Sequence, residues 1–328
     1  MKEYLVPLLF AAALLVSCEK QQESTQPVPK GDAIEFSMSS TAVNTKTAYG
    51  EVTGTKQPIN WEDGDKFTVF CEEALVSGGD KKEVDYKVST SGSSSSVTPD
   101  NPDVQLMWGD EGKHTFYAAY PAGTLDGNTL LCEIPYTQTL EGKDGVYAPM
   151  LPECGYMVAA TTANKSNSAV SLTFKPIFTA IEFTVGPGPA KDVEVKGFRL
   201  ESANSTLAGS FSARINLDSA PTYADFISQA KSISVRFGEN NSVKIAKGKT
   251  ITFTVIAVPQ DLTNLTAKFT VDGNEVEIPL KKDGEFITFK AGKKSRINAP
   301  GILGPETQET GFDTDIDDQD IEDYNIGQ

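Results

Sequence analysis

Short runs of alternating apolar and polar residues, separated by turn residues, recur from Asp32 to Leu303. In Lys66–Cys71, for example, Phe67, Val69 and Cys71 take every second position. Further runs lie at His114–Pro121 and Leu130–Thr139, and segments of the same kind fill the second half of the chain. A period of two residues is that of a β-strand with one buried face. The pattern therefore predicts an all-β protein of antiparallel β-sandwiches.

Chain length sets the expected number of domains. A single hydrophobic core rarely serves 328 residues, so we expect two domains. The boundary is placed in the loop at residues 164–168, which gives an N-terminal β-sandwich domain at 32–166 and a C-terminal one at 167–303. The segment Thr222–Lys231 is expected to be a short helix, and residues 91–103, rich in Ser and Pro, an exposed loop.

The first eighteen residues have the features of an export signal. Lys2 precedes an apolar run from Leu5 to Val16, too short for the roughly 20 residues that span a bilayer. The four residues that end at Cys18, Leu-Val-Ser-Cys, resemble a bacterial lipobox. We therefore expect a lipoprotein signal peptide at 1–17, lipidation of Cys18, a flexible tether at 18–31, and anchoring in outer-membrane lipid.

The net charge of -16 and the pI near 4.6 disfavour nucleic acid as a partner, because phosphates would be repelled. Nine acidic and no basic residues lie between Glu306 and Gln328. Residues 304–328 therefore form a separate acidic tail. Its simplest interpretation is a solvated segment.

The sequence contains no pattern typical of a catalytic or metal site. His114 is the one histidine, and it lies in a strand-like run, where a structural role is expected. Cys71, Cys132 and Cys154 follow Cys18, and their spacing is not that of a metal cluster. They can be three buried thiols or one disulfide plus one thiol. The prediction is a protein that is not an enzyme and needs no cofactor or metal.

Several segments, in this order, resemble the fimbrillin family, the subunits of the type V pili of Bacteroidia. They are the lipobox, NTKTAYG (44–50), WEDGDKFTVF (61–70), FYAAYP (116–121), PYTQT (135–139), YAPM (147–150), LTFKPIFTAIEFTV (172–185) and VIAVPQDL (255–262). The resemblance implies two tandem transthyretin-like domains, a place on the cell surface, and assembly with other pilus subunits. Assembly by donor-strand exchange would follow removal of the first strand by a protease.

The first strand would be the segment that contains Ile34, Phe36 and Met38, whose side chains alternate with polar ones. The resemblance implies a cut after a basic residue in the loop that follows, here between Lys46 and Thr47. The family more often has arginine at the cut, and Lys56 is an alternative site.

The resemblance also implies a C-terminal donor strand, for which Tyr324 and Ile326 are the candidates because they share one face of the extended chain. Dense carboxylates before them would be costly to bury in an apolar groove. Binding of calcium by Asp313, Asp315 and Asp317 is a further alternative, although the loop glycine of an EF-hand is missing. Ser219, in Asp-Ser-Ala, resembles a short O-glycosylation motif of these bacteria.

Two functions follow as expectations. The first is a structural subunit of a cell-surface pilus, exported as a lipoprotein and polymerised by donor-strand exchange, which supports adhesion. The alternative is a lipid-anchored anchor or tip adhesin of the same family that binds a host glycan or protein without polymerising.

Overall fold

The structure, a computed structural model, describes residues 32–37, 48–49, 59–91, 94–110, 112–123, 125–143, 145–149, 154–167, 169–282, 284–304 and 315–319. Its secondary-structure elements in these ranges are β-strands, which confirms the predicted fold class. Among the described residues, there is no helix long and apolar enough to cross a membrane.

The strands of the first half follow the alternating runs of the sequence. They are β1 (Phe36–Ser37), β2 (Ala48–Tyr49), β3 (Ile59–Asn60), β4 (Lys66–Phe70), β5 (Leu75–Ser77), β6 (Glu83–Ser91), β7 (Ser94–Pro99), β8 (Gln105–Met107), β9 (His114–Tyr120), β10 (Leu125–Asp126), β11 (Thr129–Ile134), β12 (Thr137–Lys143), β13 (Val146–Pro149) and β14 (Met157–Ala163). The expected loop at 91–103 therefore contains a strand, β7, which pairs with β6.

The second half continues in the same way. Its strands are β15 (Val170–Ser171), β16 (Lys175–Pro176), β17 (Thr179–Val185), β18 (Val193–Ser202), β19 (Ala208–Arg214), β20 (Thr222–Ala230), β21 (Ser232–Phe237), β22 (Val243–Ile245), β23 (Ile251–Ala257), β24 (Leu265–Val271), β25 (Asn274–Pro279), β26 (Lys281–Lys282), β27 (Glu285–Phe286), β28 (Lys294–Ala299) and β29 (Asp315–Gln319).

Three larger sheets organise the described chain. A six-stranded antiparallel sheet has the order β16-β14-β9-β4-β6-β7, and a four-stranded sheet the order β10-β11-β19-β20. The largest sheet has the order β25-β24-β18-β21-β12-β13-β23-β17-β28-β29, with β22 beside β18. Most neighbouring pairs are antiparallel, whereas β1-β15, β12-β21, β13-β23 and β17-β28 are parallel.

The predicted boundary at residue 166 does not coincide with the division between the sheets. Strands β11, β12 and β13 precede it but pair with β19, β21 and β23, which follow it. Conversely, β16 follows the boundary and pairs with β14 in the six-stranded sheet. The chain thus exchanges strands in both directions across residue 166. The arrangement as two tandem transthyretin-like domains stays a prediction.

The helix expected at Thr222–Lys231 is wrong, because this segment forms strand β20. The half-buried residues of β20 are Tyr223, Phe226 and Ala230, at spacings of three and four residues. Two irregularities in the pairing with β19, together with positive φ at Asp225 and Ser228, produce this spacing. The bulged strand therefore has the periodicity of a helix.

Aromatic side chains fill the space between the layers. In the first half, Trp61 packs edge-on against Tyr120 and Phe174, with ring centroids 5.2 and 5.1 Å apart. In the second half, Phe253 stacks on Phe183 at 5.2 Å and contacts Phe198 at 4.9 Å. Such rings account for a large part of the apolar surface that folding removes from water.

Candidate functional site: the first strand and the slot that holds it

The described segment at 32–37 lies between two other strands. On one side, Ile34 N–H donates to the Leu106 carbonyl and Trp108 N–H donates to the Asp32 carbonyl, both at 2.9 Å. Ala33 bridges Met107 in antiparallel fashion, which joins the segment to β8. On the other side, β1 runs parallel to β15, and Val170 N–H donates to the Glu35 carbonyl at 2.8 Å. The segment is therefore an interior strand.

The side chains of the segment alternate between core and solvent. Ile34 and Phe36 are 4% and 6% exposed, whereas Glu35 between them is exposed. The Phe36 ring lies edge-on to Tyr86 at 4.8 Å and to Phe116 at 5.8 Å. Burying the two apolar side chains contributes about 3–6 kcal/mol, and each backbone hydrogen bond adds roughly 0.5–1.5 kcal/mol net.

We call the space occupied by residues 32–37, between β8 and β15, the slot. Its backbone walls are Leu106 to Trp108 on one side and Val170 to Ser171 on the other. Aromatic side chains, among them Tyr86 and Phe116, form its floor. If residues 32–37 left, both walls would have unpaired backbone groups above an apolar floor.

His114 supports one wall of the slot. It is fully buried, and its Nε2 accepts a hydrogen bond of 3.1 Å from Gly109 N–H. The Trp108 ring lies edge-on to the imidazole at 4.9 Å, and Trp108 N–H is the donor to Asp32. His114 thus packs behind the wall, away from solvent.

Part of the acidic tail forms a strand of its own. Strand β29 pairs antiparallel with β28, with Ile316 opposite Ile297 and Asp317 opposite Arg296. The extended chain at Asp315 to Asp317 is not the loop that an EF-hand calcium site requires. Within the described residues, no group of three His, Cys, Asp or Glu is arranged to hold a metal.

The strand beside β29 carries a buried ion pair. Lys294 Nζ lies 2.6 Å from a Glu182 carboxylate oxygen, and Arg296 Nε donates to the other oxygen at 2.7 Å. Burial lowers the pKa of Lys294, and the Glu182 carboxylate opposes this effect. The register therefore places Asp317 of the tail opposite Arg296 of β28. Arg296 shares its carboxylate partner, Glu182, with Lys294.

The three cysteines are buried free thiols, so the alternative with one disulfide is wrong. Burial, with a further contribution from the Glu73 carboxylate, raises the pKa of the Cys71 thiol to about 12. Burial also raises the pKa of Cys132. Cys71 and Cys132 therefore stay protonated at neutral pH. All three buried thiols behave as small apolar side chains.

Several predicted site residues are not positioned by the structure. Cys18, Met38, Lys46, Thr47, Tyr324 and Ile326 lie outside the described residues. Ser219 is described and lies exposed between β19 and β20, where the Asn216 amide donates to the Ala220 carbonyl at 2.8 Å. Its modification stays a prediction.

Sequence reasoning missed the walls of the slot. The first wall, at Leu106 and Trp108, lies about 70 residues along the chain from the segment that it binds, and Val170 of the second wall lies more than 130 residues away. Strand partners so distant leave no periodic signal in a single sequence. The apolar residues Leu106, Met107 and Trp108 were the available signal, but a run this short is too little to identify a strand.

Comparison with known proteins places the chain in a family. The family model described as Fimbrillin-like matches residues 43–317. Two solved structures, described as putative cell adhesion proteins, share the fold. The structure from Bacteroides uniformis has a TM-score of 0.52 at 14% identity and covers 92% of this chain and 99% of its own. The structure from Bacteroides ovatus has a TM-score of 0.50 at 16% identity and covers 91% and 99%.

No curated protein matches the sequence. The family model alone spans well over half of the chain, and the two structures agree with it in fold. The protein is a member of the fimbrillin-like family.

Proposed function

We propose that the protein is a structural subunit of a cell-surface type V pilus that polymerises by donor-strand exchange. The observation that carries the proposal is the interior position of residues 32–37, paired on both sides by β8 and β15. Removal of this segment opens a slot with hydrogen-bonding walls and an apolar floor, which another strand of matching alternation can fill. Membership of the fimbrillin-like family supports the same conclusion.

The slot dictates the direction of any replacement. Residues 32–37 run antiparallel to β8 and parallel to β15, so an incoming strand pairs best in the same direction. Its apolar side chains must fall at the positions of Ile34 and Phe36, because the residue between them faces solvent.

The proposed route to the surface starts with export and lipidation at Cys18, followed by a cut between Lys46 and Thr47. The lipobox and the single lysine of NTKTAYG support these two steps. The cut lies after the first strand, so it separates residues 32–37 and the lipid from the remainder of the chain.

The C-terminal tail is the proposed donor, with Tyr324 and Ile326 entering the slot of a neighbouring subunit. Residues 315–319 pair with the protein's own β28, so the proposed donor residues are those that follow β29 in the sequence. Residues 315–319 then pair with β28 and do not enter an apolar slot, so their carboxylates are spared the desolvation cost.

A lysine-specific protease tests the proposal on purified precursor. The cut protein is expected to lose every residue before Thr47 and to form a ladder of polymers on denaturing gels that heat dissolves. Lys46→Gln is expected to keep residues 32–37 and to stay monomeric, whereas the matched control Lys56→Gln assembles normally. N-terminal sequences of native filaments that still contain Ile34 and Phe36 would contradict the mechanism.

A pair of tail variants tests the donor separately. Tyr324→Asp combined with Ile326→Asp places two charges on the face that enters the slot, so the cut protein is expected to remain monomeric. Asn325→Asp changes the opposite face and is expected to polymerise. Equal polymerisation of both variants would exclude residues 324–326 as the donor.

The alternative function is a lipid-anchored anchor or tip adhesin that does not polymerise. The pairing of β29 with β28 of the same chain favours it, because residues 315–319 of the tail already have a strand partner in their own subunit. This alternative predicts that the cut protein remains monomeric even with an intact tail.

A further inference from the structure

The outer face of the large sheet carries an open depression of about 610 Å³, which we call the outer depression. Strand β18 is irregular between Val195 and Gly197, and Gly197 belongs to the lining. A Cβ atom at Gly197 would meet no other atom within 4 Å. The missing side chain therefore keeps the outer depression open.

The lining of the outer depression is rich in hydrogen-bonding groups. Side chains with a hydroxyl or amide are Thr137, Ser234, Thr270 and Asn241, and Glu275 adds a carboxylate. The side-chain oxygen of Asn241 is buried and has no hydrogen-bond partner among the described residues. A buried acceptor of this kind requires a donor, and rotation of the Asn241 side chain toward the opening lets a ligand hydroxyl supply one.

Three cations also line the outer depression, and they differ in their partners. Arg199 pairs with Glu201 at 2.8 Å, and Lys268 pairs with Glu277 at 2.7 Å and with Glu201 at 3.2 Å. Arg236 is exposed, and no carboxylate within the described ranges forms an ion pair with it. Arg236 is thus the cation available to an anionic ligand.

The surroundings favour a sugar over a peptide. Strands β18, β21 and β24 each have neighbours on both sides. The edge strand β25 contributes only Glu275 to the lining, so a peptide that extended the sheet would lie at its rim and not in the outer depression. Hydroxyl and amide groups spread over a shallow surface match the hydroxyls of a sugar ring.

We propose that the outer depression binds a sugar that carries a carboxylate. Arg236 receives the carboxylate through its planar, two-pronged guanidinium. The Asn241 oxygen, once its side chain has rotated toward the opening, accepts a hydrogen bond from a sugar hydroxyl. This site goes beyond polymerisation and does not depend on it, because it lies on the largest sheet, away from the slot.

Binding to the uncut, monomeric precursor tests the site without any contribution from assembly. Isothermal titration with 3′-sialyllactose and with a glucuronate-containing disaccharide covers two sources of the carboxylate, and lactose is the neutral comparison. We expect at least one acidic sugar to bind and lactose to bind at least tenfold more weakly. Heat from neither acidic sugar, or equal affinity for lactose, would overturn the proposal.

Two variants locate the binding. Arg236→Gln is expected to weaken the acidic sugar by roughly ten- to a hundredfold, the usual size of a charge-assisted interaction. Arg214→Gln, on β19, removes an exposed arginine elsewhere and is expected to have no effect. Loss of binding in both variants, or in neither, contradicts the assignment to the outer depression.

A third variant fills the space without changing a charge. Gly197→Leu introduces a side chain into open space, so it is expected to abolish sugar binding while the thermal unfolding midpoint stays close to that of the wild type. A synthetic peptide of residues 306–328 is the last comparison, because it is acidic without being a sugar. If this peptide competed with the acidic sugar at equal concentration, the ligand of the outer depression would be the protein's own tail, and the proposal of a sugar would be overturned.

Discussion

Phe36 is the residue on which the first strand most depends. Its ring is buried between Tyr86 and Phe116, so truncation leaves a cavity in the floor of the slot. Phe36→Ala is expected to lower the free energy of unfolding of the precursor by about 3–5 kcal/mol. Urea denaturation of the uncut protein measures this loss.

Leu131→Ala is the matched control for Phe36→Ala, because Leu131 is apolar but 63% exposed. Its truncation is expected to change the free energy of unfolding by less than about 0.5 kcal/mol. If the two substitutions had equal effects, residues 32–37 would not be packed in solution as described.

Cys71 gives the precursor a characteristic dependence on alkaline pH. Its thiol pKa is raised from 9.0 to about 12 in the folded protein, so the unfolded chain loses this proton first. The stability that comes from Cys71 is complete below pH 9.0 and is lost as the pH rises toward 12. Chemical denaturation between these values is therefore expected to show a steeper decline for the wild type than for Cys71→Ala.

The hairpin formed by β12 and β13 depends on a buried amide. Gln138 donates to the Ile256 carbonyl, and its Oε1 accepts from Ile256 N–H at 3.1 Å. These two bonds attach β12 directly to β23, at a position of β23 that β13 does not pair with. Gln138→Leu leaves both backbone groups of Ile256 buried without a partner and is expected to cost about 2–4 kcal/mol in a thermal or urea unfolding experiment.

Thr139→Val is the control for Gln138→Leu, because Thr139 is the next residue of β12 and is exposed. It keeps a β-branched side chain and is expected to leave the unfolding midpoint nearly unchanged. Similar losses of stability in both variants would indicate that strand β12 is sensitive to any substitution here, and that the Gln138 amide has no special role.

The sequence predicted strands far better than it predicted their partners. Local alternation sufficed for β4, β9 and β17, each of which lies within a predicted run. It failed for β20, where two bulges move Tyr223, Phe226 and Ala230 to helical spacing. Partner choice is decided by contacts between distant segments, which a single sequence does not reveal.

The candidate site could be predicted from the sequence only in part. The alternation around Ile34 and Phe36 identified the strand, and both side chains are buried. The interior position of the strand was not predictable, because it depends on Leu106 and Val170, which belong to two very short strands.

For the molecule as a whole, the exchange of strands across residue 166 predicts that neither half folds alone. A fragment of residues 32–166 contains β11 to β13 without β19, β21 and β23, and a fragment of 167–304 lacks the same pairings. Each is expected to show the narrow amide dispersion of an unfolded chain in NMR spectra. Mixing the two fragments is expected to restore dispersed signals, since the interface then re-forms.

Independent folding of both fragments would contradict this prediction and would favour two separate tandem domains. A comparison with a break at residues 291–293, between β27 and β28, interrupts none of the three larger sheets and supplies the control. That pair of fragments is expected to stay associated and folded.

Under the proposed strand exchange, the two walls beside residues 32–37 also determine how fast subunits can be activated. A strand at the rim of a sheet can be swapped sideways, whereas one with neighbours on both sides must be peeled outward against two rows of hydrogen bonds. Cutting the loop leaves this segment in place, so a nicked subunit remains inert for a time set by peeling. Filament growth is then limited by a slow internal release and not by how quickly subunits meet.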